Sequence, residues 1–331
     1  MRLETGRLRQ GSTVVQQLQR ALQGVGSRLR QKRQELAGRR GPTLPSEELS
    51  YDDFFATLRG VLEARQPFCV VRPGGTEGNV IWQSRGRDKF LGYGGSGRYS
   101  AHVAREADIK VGVVPATDDS LDLFAVEYSG ALSAGDCFVF FPWTKWMAFL
   151  NDRLPPAVIP HAEFEPLTAF QNGKVPWTRL LEGRRVLVIS AFSDTVESQF
   201  ERLNEVSIAR DVLPEMHLLT LDAPMTFAGA GEGRSWQHEL RKCVSFVESS
   251  DFDIALIAAG CYGPSLAAAA KASGRVGIHL GGSLQLLFGI SGRRWEKSGF
   301  LRGLGRRDGW VRPPLDDRLT NAADVEGGAY W

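Results

Sequence analysis

The sequence has no long apolar segment and few cysteines. None of its apolar runs approaches the roughly 20 residues that a membrane-spanning helix needs, and its first residues are charged and lack the apolar core of a secretory signal. The four cysteines (Cys69, Cys137, Cys243 and Cys261) form no CxxC pair, and three of them lie within or beside apolar runs. These absences argue against a membrane-spanning protein, a disulfide framework and a zinc site. We expect a cytoplasmic protein with reduced, packed thiols.

Several motifs of nucleotide-binding and hydrolytic enzymes are also missing. No segment matches the Walker pattern, and no GxGxxG fingerprint opens a strand–helix unit, which argues against P-loop and ordinary NAD binding. A GxSxG motif or a Ser-His-Asp ordering is not visible, which disfavours serine hydrolysis. Outside the first 40 residues no dense basic patch carries interleaved aromatics, so nucleic acid is not an expected partner. A nucleotide held by an atypical set of glycines remains open.

The net charge of +2 hides a basic N-terminal arm. Residues 1–40 contain ten Lys and Arg against two acids, a net charge of +8, so the rest of the chain carries −6. Apolar residues from Val14 to Leu29 recur at spacings of three and four, a narrow helical stripe that two glycines weaken. The arm therefore lies on an anionic membrane surface at the inner face, pairs with another helix, or stays disordered. We assign residues 1–45 to this partly helical or disordered arm and its linker.

Short apolar segments alternate with helical patterns through the rest of the chain. PFCVV, DCFVFF, RRVLVIS, HLLTLDA, DIALIAAG and RVGIHLGG are typical of buried strands, with amphipathic segments such as RSWQHELRKCVSFVESS between them. This alternation predicts parallel βαβ units. We expect residues 46–331 to form a single α/β domain, Rossmann-like, with a mostly parallel sheet and helices on both faces. Its first helix is predicted to begin at Ser46 and to end near Ala64.

Glycines and polar residues cluster where several of these strands are predicted to end. GGTEG comes two residues after PFCVV, and SAFSDT directly follows RRVLVI. AAGCYG overlaps the end of DIALIAAG, and HLGGS overlaps the end of RVGIHLGG. Open parallel sheets bind ligands at the carboxyl edge of their strands, and helix N-termini there present N–H groups that suit a diphosphate. The residues predicted to bind a ligand at this edge are Gly74, Gly75, Thr76, Asn79, Ser190, Asp194, Thr195, Gly260, Tyr262, Gly263, Gly281, Gly282 and Arg293.

Several of these residues have an ordinary structural interpretation beside the functional one. His279 is either a packed strand residue or an imidazole that ligates a metal or bonds a phosphate. Asp194, or Thr195 beside it, caps the helix after RRVLVIS or takes part in the site. Tyr262, in the segment GCYG that has a glycine at each end, stacks on a base or packs in the core.

Three further candidates have the same ambiguity. Arg293 and Arg294, directly before a tryptophan, form a diphosphate clamp or a solvated turn. Trp143 and Trp146 form a sugar platform or belong to the core. Glu77, in the glycine-rich segment, is a turn residue or a carboxylate that takes part in the function.

Four stretches carry a family resemblance. VVRPGGTEGNVI, PWTRLLEGRRVLVISAFSDTVESQ, FDIALIAAGCYGPSLAAAAKASGRVGIHLGGSLQLLFGISGRRW and the terminal VEGGAYW together resemble bacterial proteins of polysaccharide biosynthesis loci that are similar to glycosyltransferases of the GT-D fold. The resemblance covers roughly residues 50–331 and is most specific over residues 253–295. It implies a single Rossmann-like domain that takes a nucleotide-activated sugar.

The hallmark of the GT-D fold is an Arg-x-Gly-Asp-x-Glu segment after a strand, and this chain has Arg72-Pro73-Gly74-Gly75-Thr76-Glu77. The resemblance carries the catalytic glutamate over to Glu77 and the arginine to Arg72. Gly75 stands where the family has its aspartate, a departure at the metal motif. If a manganese or magnesium ion binds, Glu77 and His279 are its expected ligands.

The expected function is therefore a glycosyltransferase of cell-surface polysaccharide or glycan biosynthesis, with Glu77 as the general base. Its partners would be a nucleotide-sugar donor and a glycan or lipid-linked acceptor. The alternative is a non-catalytic protein that binds a sugar nucleotide or glycan within a biosynthetic complex.

Overall fold

The structure is a computed structural model that describes residues 47–85, 99–141 and 155–314. All of these residues belong to one unit, Leu44–Trp331. The basic arm, the predicted start of the first helix at Ser46, both tryptophans of the PWTKW segment and the C-terminal VEGGAYW lie outside the described residues.

An eight-stranded sheet, parallel throughout, forms the centre of the described residues. Its spatial order is β1-β4-β3-β2-β8-β7-β5-β6, so β2 and β8 are neighbours in the middle of the sheet. The parallel α/β architecture predicted from the alternating pattern is confirmed. The strands are β1 Glu47–Glu48, β2 Phe68–Val71, β3 Cys137–Phe140, β4 Ala157–Pro160, β5 Arg185–Ser190, β6 His217–Asp222, β7 Ile254–Ala258 and β8 Val276–His279.

The central strands are buried on both faces, which explains their near-continuous apolar sequences. Val186, Leu187, Val188 and Ile189 of β5 are all inaccessible to solvent. The edge strand β6 has a different pattern, since its residues are exposed or half-buried.

The helices lie between the strands. They are α1 Tyr51–Glu63, α2 Gly75–Ser84, α3 Ala101–Glu106, α4 Asp118–Ser133, α5 His161–Phe164, α6 Pro166–Gln171, α7 Ser193–Glu201, α8 Ala209–Val212, α9 Trp236–Ser249, α10 Gly263–Ala272, α11 Leu284–Leu287, α12 Arg293–Ser298 and α13 Phe300–Gly303. A π-helical turn, Ala107–Val111, follows α3, and four 3₁₀ turns span Trp177–Leu181, Leu203–Glu205, Gly260–Tyr262 and Gly281–Ser283. Within the described part of the chain no helix combines the length and the apolar character needed to cross a membrane.

Two helix starts differ from the sequence prediction. The prediction that the first helix runs from Ser46 is wrong over its first turn, because Glu47–Glu48 form β1 and the helix begins at Tyr51, where Ser50 and Asp53 form a reciprocal capping box. Helix α7 begins at Ser193 with Phe192 at the N-cap position, so the prediction that Asp194 or Thr195 caps it is wrong. Asp194 lies instead in the first turn, where its charge is favourable toward the helix dipole.

Each face of the sheet has its own core. One core contains α1 together with Val196 of α7 and Leu284 of α11, and its centre is the aromatic group Phe54, Phe164 and Trp177. The other core contains apolar residues of α2, α4, α9 and α10. The chain therefore leaves β2 and β7 toward one face and leaves β5 and β8 toward the other.

These four strands are adjacent in the order β2-β8-β7-β5. Because neighbouring strand ends turn to opposite faces, a crevice opens between them at the carboxyl edge. This is the position at which open α/β sheets bind their ligands.

Candidate functional site

A cavity of about 330 Å³ occupies this crevice. Its walls come from the segments that follow β2, β5, β7 and β8, which the sequence singled out for their glycines. Among the predicted site residues it is lined by Arg72, Gly74, Gly75, Thr76, Glu77, Ser190, Gly260, Tyr262, His279, Gly281 and Gly282. The fold thus brings into one cavity residues that are up to about 210 positions apart in the chain.

Glu77 lies in the first turn of α2, and its side chain folds back over the start of that helix. A Cβ atom added at Gly74 would lie 2.0 Å from Oε2 of Glu77, so only glycine at position 74 leaves room for this carboxylate. The backbone N–H of Gly74 donates to the hydroxyl of Tyr128 at 3.0 Å, which fixes the turn. Gly74 therefore makes space for Glu77 beside the cavity.

The charge of Glu77 acts on two buried neighbours. Burial raises the pKa of Tyr128 well above its usual range, and the nearby negative charge of Glu77 adds to this effect. The pKa of Cys261 is raised by the same two causes in the same order. The Tyr128 hydroxyl and the Cys261 thiol therefore stay neutral at physiological pH. The carboxylate of Glu77 lies near both groups and lines the cavity.

Arg72 is held by a buried network at the end of β2. Its Nη1 atom lies 3.0 Å from Oε1 of Glu165 and also donates to the carbonyl oxygen of Leu280 and, at 3.4 Å, to Oγ of Ser283. Ser283 itself donates to the same carboxylate oxygen at 3.0 Å. Arg72 thereby ties the β2 turn to the turn after β8.

His161 completes this network from α5. Its Nε2 atom lies 2.8 Å from Oε1 of Glu165, and its ring stacks on Phe141 with centroids 4.4 Å apart. The guanidinium of Arg72 lies 4.9 Å from the same phenyl ring. Burial alone would raise the pKa of Glu165, but the hydrogen bond from His161, the charge of Arg72 and the hydrogen bond from Ser283 outweigh it and hold the pKa below its usual value.

His279 ends β8 and lines the cavity. It is 5% exposed, and burial together with the charge of Arg72 lowers its pKa to about 3. Its imidazole is therefore neutral at physiological pH. A neutral imidazole can still donate a hydrogen bond to a phosphate through its N–H group, so the interpretation of His279 as a phosphate or metal ligand stays a prediction.

Tyr262 packs in the core. It is 2% exposed, and its hydroxyl lies 2.7 Å from Oγ1 of Thr226, which also donates to the carbonyl oxygen of Gly112. Of the two interpretations of Tyr262, core packing fits this geometry, since a satisfied and buried ring is not available to stack on a base.

A second cavity, of about 660 Å³, adjoins the first one. It lies between the segments after β5 and β6 and helix α9, and both cavities are lined by Ala191, Phe192, Ala223 and Pro224. The predicted residues Asp194 and Thr195 line this neighbour rather than the cavity of Glu77. Its charged lining includes Arg234, whose guanidinium pairs with Glu239 at 2.9 Å.

The remaining predicted residues occupy other positions. Asn79, Gly263 and Arg293 line neither cavity, whereas Arg294, the neighbour of Arg293, lines the smaller one. The cavity is also lined by residues that no sequence pattern singled out, namely Lys110, Val111, Phe141, Phe227 and Gln285. Lys110 and Val111 belong to the π-helical turn, a feature that is frequent at functional sites.

The described residues offer few ligands for a resident metal ion. Among them no three His, Cys, Asp or Glu side chains gather in an arrangement that holds a metal. Glu77 is one carboxylate and His279 one imidazole, while Gly75 has no side chain at the aspartate position of the GT-D motif. A divalent ion usually requires more oxygen ligands than this pair supplies, so the two residues do not fit a metal that binds without its substrate.

Comparison of the chain with protein-family models, with curated proteins and with solved structures yields no match. The functional argument therefore rests on the geometry of the site and on the sequence patterns.

Proposed function

We propose that the protein is a glycosyltransferase that takes a nucleotide-activated sugar at the carboxyl edge of its sheet and acts in cell-surface polysaccharide or glycan biosynthesis. The observation that carries the proposal is the position of Glu77. This carboxylate borders a cavity formed by four parallel strand ends, next to the glycine-rich start of α2. The resemblance of residues 72–77 to the GT-D motif points to the same residue.

Two helix N-termini support the binding of a diphosphate. Helices α2 and α10 each have ten residues and begin at the crevice, and neither has a side-chain hydrogen bond at its N-cap. The positive dipole ends of these two helices favour a negatively charged group at this edge of the sheet. Arg294 and Lys110, which is ion-paired with Glu106 of α3, line the same cavity and supply cationic groups.

The two adjoining cavities suit a ligand with two ends. Pockets for small molecules commonly have volumes of roughly 300–1,000 Å³. The cavity of about 330 Å³ beside Glu77 would take the glycosyl unit, and the neighbour of about 660 Å³ would take the nucleoside.

The reaction would proceed by attack of an acceptor hydroxyl on the anomeric carbon. A new carbon–oxygen bond forms there while the bond from that carbon to the phosphate oxygen breaks, and the nucleoside diphosphate leaves with the electron pair. Glu77 takes the hydroxyl proton as general base. The helix N-termini and the cavity cations stabilise the departing diphosphate. A divalent ion, where one takes part, would bind mainly through the phosphate oxygens of the donor.

Arg72 has a positioning role in this scheme. Its guanidinium is engaged by Glu165 and by the carbonyl oxygen of Leu280, so it orients the turn that carries Glu77.

A second candidate is a non-catalytic protein that binds a sugar nucleotide within a biosynthetic complex. Gly75 at the aspartate position of the GT-D motif favours it, because it leaves Glu77 as the carboxylate of that segment. The two candidates share the binding step and differ in turnover.

A saturation-transfer NMR screen tests the binding step. The probes are UDP-, GDP- and dTDP-sugars and their free diphosphates, each with and without magnesium. We expect at least one nucleotide sugar to receive saturation on its sugar protons and to be displaced by the matching diphosphate. Absence of transfer to every nucleotide sugar at millimolar concentration would remove both candidates.

A further inference from the structure

Asp222 is an exposed carboxylate at the carboxyl end of the edge strand β6. Its Cα atom is in register with that of Ser190, the last residue of β5. Asp222 lines the cavity of about 660 Å³, the larger of the two cavities at this edge. The sheet therefore carries an accessible hydrogen-bond acceptor into this cavity.

A hydrogen bond from Ser193 orients the carboxylate. Ser193 is the first residue of α7 and is 4% exposed, and its hydroxyl donates to Oδ1 of Asp222. Within the described part of the chain no hydrogen bond or ion pair engages Oδ2 of Asp222. Since a carboxylate has two acceptor oxygens with about four lone-pair sites, Asp222 keeps acceptor capacity for a ligand while Ser193 fixes its direction.

The charged lining of this cavity favours an uncharged part of a ligand over its phosphates. The cations among its described lining residues, Arg234 and Lys242, both contact Glu239, at 2.9 and 3.5 Å. Asp194 and Asp222 add negative charge to the same lining. These carboxylates repel a phosphate, whereas a hydroxyl donates to them.

The apolar part of the lining suits a flat base. Phe192 and Phe246 lie on this lining together with Leu221 and Pro224. Every nucleobase has a π-face that stacks on aromatic side chains. A nucleoside combines such a base with a ribose that carries two neighbouring hydroxyls. The aromatic surface and the carboxylate of Asp222 match these two parts.

We propose that Asp222 accepts hydrogen bonds from the 2′- and 3′-hydroxyls of the ribose and thereby selects a ribonucleotide donor over its 2′-deoxy counterpart. This inference rests on the proposed function, which assigns the larger cavity to the nucleoside. It narrows the donors to sugars activated by a ribonucleoside diphosphate, such as UDP- and GDP-sugars. A dTDP-sugar is a poor ligand on this account, because its deoxyribose leaves the carboxylate one hydroxyl short.

Calorimetry with matched pairs of ligands tests the role of Asp222. The probes are UDP with 2′-deoxy-UDP and GDP with 2′-deoxy-GDP, which differ within each pair by one hydroxyl. They are titrated into the wild type, Asp222→Ala and Asp222→Asn. Glu215→Ala is the matched control, because Glu215 is an exposed carboxylate near the opposite end of β6 and lines neither cavity.

We expect the wild type to bind the ribonucleotide of its preferred base about tenfold more tightly than the 2′-deoxy analogue, the effect of one hydrogen bond to a charged group. Asp222→Ala should bind the two analogues within about twofold of each other, because the partner of the hydroxyl is gone. Asp222→Asn keeps the size of the side chain and one acceptor oxygen but not the charge, so its ratio should be about threefold. Glu215→Ala should keep the wild-type ratio. A carboxylate with a structural role alone would leave the ratio unchanged in every variant.

Two results would overturn the inference and leave the proposed function standing. The first is equal affinity of the wild type for the ribonucleotide and its 2′-deoxy analogue. The second is a wild-type ratio in both Asp222 variants, since another group would then read the hydroxyl. A wild type that binds none of these probes, and no nucleotide sugar in the NMR screen, would remove the proposed function together with the inference.

Discussion

Arg72 and Glu165, 93 positions apart in the chain, form an ion pair in which Nη1 and Oε1 are 3.0 Å apart and the carboxylate is buried. The pair joins the turn that leads to Glu77 with the segment between α5 and α6. The same carboxylate oxygen accepts from His161 and Ser283, so one atom connects three parts of the carboxyl edge.

Removal of this carboxylate should destabilise the protein strongly. Glu165→Ala leaves the half-buried guanidinium of Arg72 without its counter-charge and its charged hydrogen bond, and we expect the free energy of unfolding to fall by about 2 kcal/mol. Urea denaturation measures the change. Arg306→Ala is the control, because its pair with Asp308 is exposed and such pairs add little. Equal midpoints for Glu165→Ala and wild type would show that the network does not stabilise the fold.

His279 should make stability depend on pH above the range in which carboxylates titrate. In the unfolded chain its pKa is near 6.5, whereas in the folded protein it is about 3. Between these values the unfolded chain binds a proton that the folded protein does not bind, so acid favours unfolding. The slope is about 1.4 kcal/mol per pH unit below pH 6.5, or about 2 kcal/mol between pH 8 and pH 5.

The contribution of Glu165 is separate, because its pKa is held below 4.5 and its stabilisation is lost only under more acidic conditions. Urea denaturation of wild type and His279→Leu at pH 8, 6.5 and 5 isolates the histidine. The variant should lose about 2 kcal/mol less than wild type between pH 8 and pH 5. Parallel curves for the two proteins would mean that the folded pKa of His279 is not depressed.

Gly74→Ala should move Glu77 and leave the fold intact. The added methyl group would overlap the carboxylate, which lies at the end of a flexible side chain and can rotate away. We expect at least a hundredfold loss of turnover, with a thermal midpoint close to wild type. Gly60→Ala, at a helical position with no atom within 4 Å of the added Cβ, serves as the control. Full activity of Gly74→Ala would show that the position of Glu77 does not matter.

The basic arm remains a prediction, since residues 1–40 lie outside the described residues. Its charge of +8 should attract anionic lipid at low salt. Deletion of residues 1–40 should leave the thermal midpoint unchanged and reduce co-sedimentation with phosphatidylserine vesicles severalfold. Equal sedimentation of the two proteins would contradict a membrane role for the arm.

The strands and their carboxyl-edge glycines were predictable because local pattern determines them. PFCVV, RRVLVIS and DIALIAAG each have an uninterrupted apolar run of four or more residues and contain β2, β5 and β7. Strand β1 has two exposed glutamates and offers no such pattern. The start of α7 was missed because Asp194 and Thr195 are good capping residues by type, whereas the turn after β5 places Phe192 at the cap.

The network around Glu165 was not predictable from the sequence. His161 and Glu165 lie in HAEFEP, a segment without a motif, and their relation to Arg72 depends on tertiary structure. The same holds for the contact between Gly263 and His279, which joins two segments that were selected separately.

Release of nucleoside diphosphate from the preferred donor tests the proposed function most directly. The wild type and Glu77→Gln are incubated with that donor and water or a glycan acceptor, and free diphosphate is quantified. Glu127→Gln, at an exposed position of α4, is the control. We predict that Glu77→Gln binds the donor within about threefold of wild type but releases diphosphate at least a hundredfold more slowly, while Glu127→Gln matches wild type. Release at equal rates by wild type and Glu77→Gln would contradict the assignment of Glu77 as the general base.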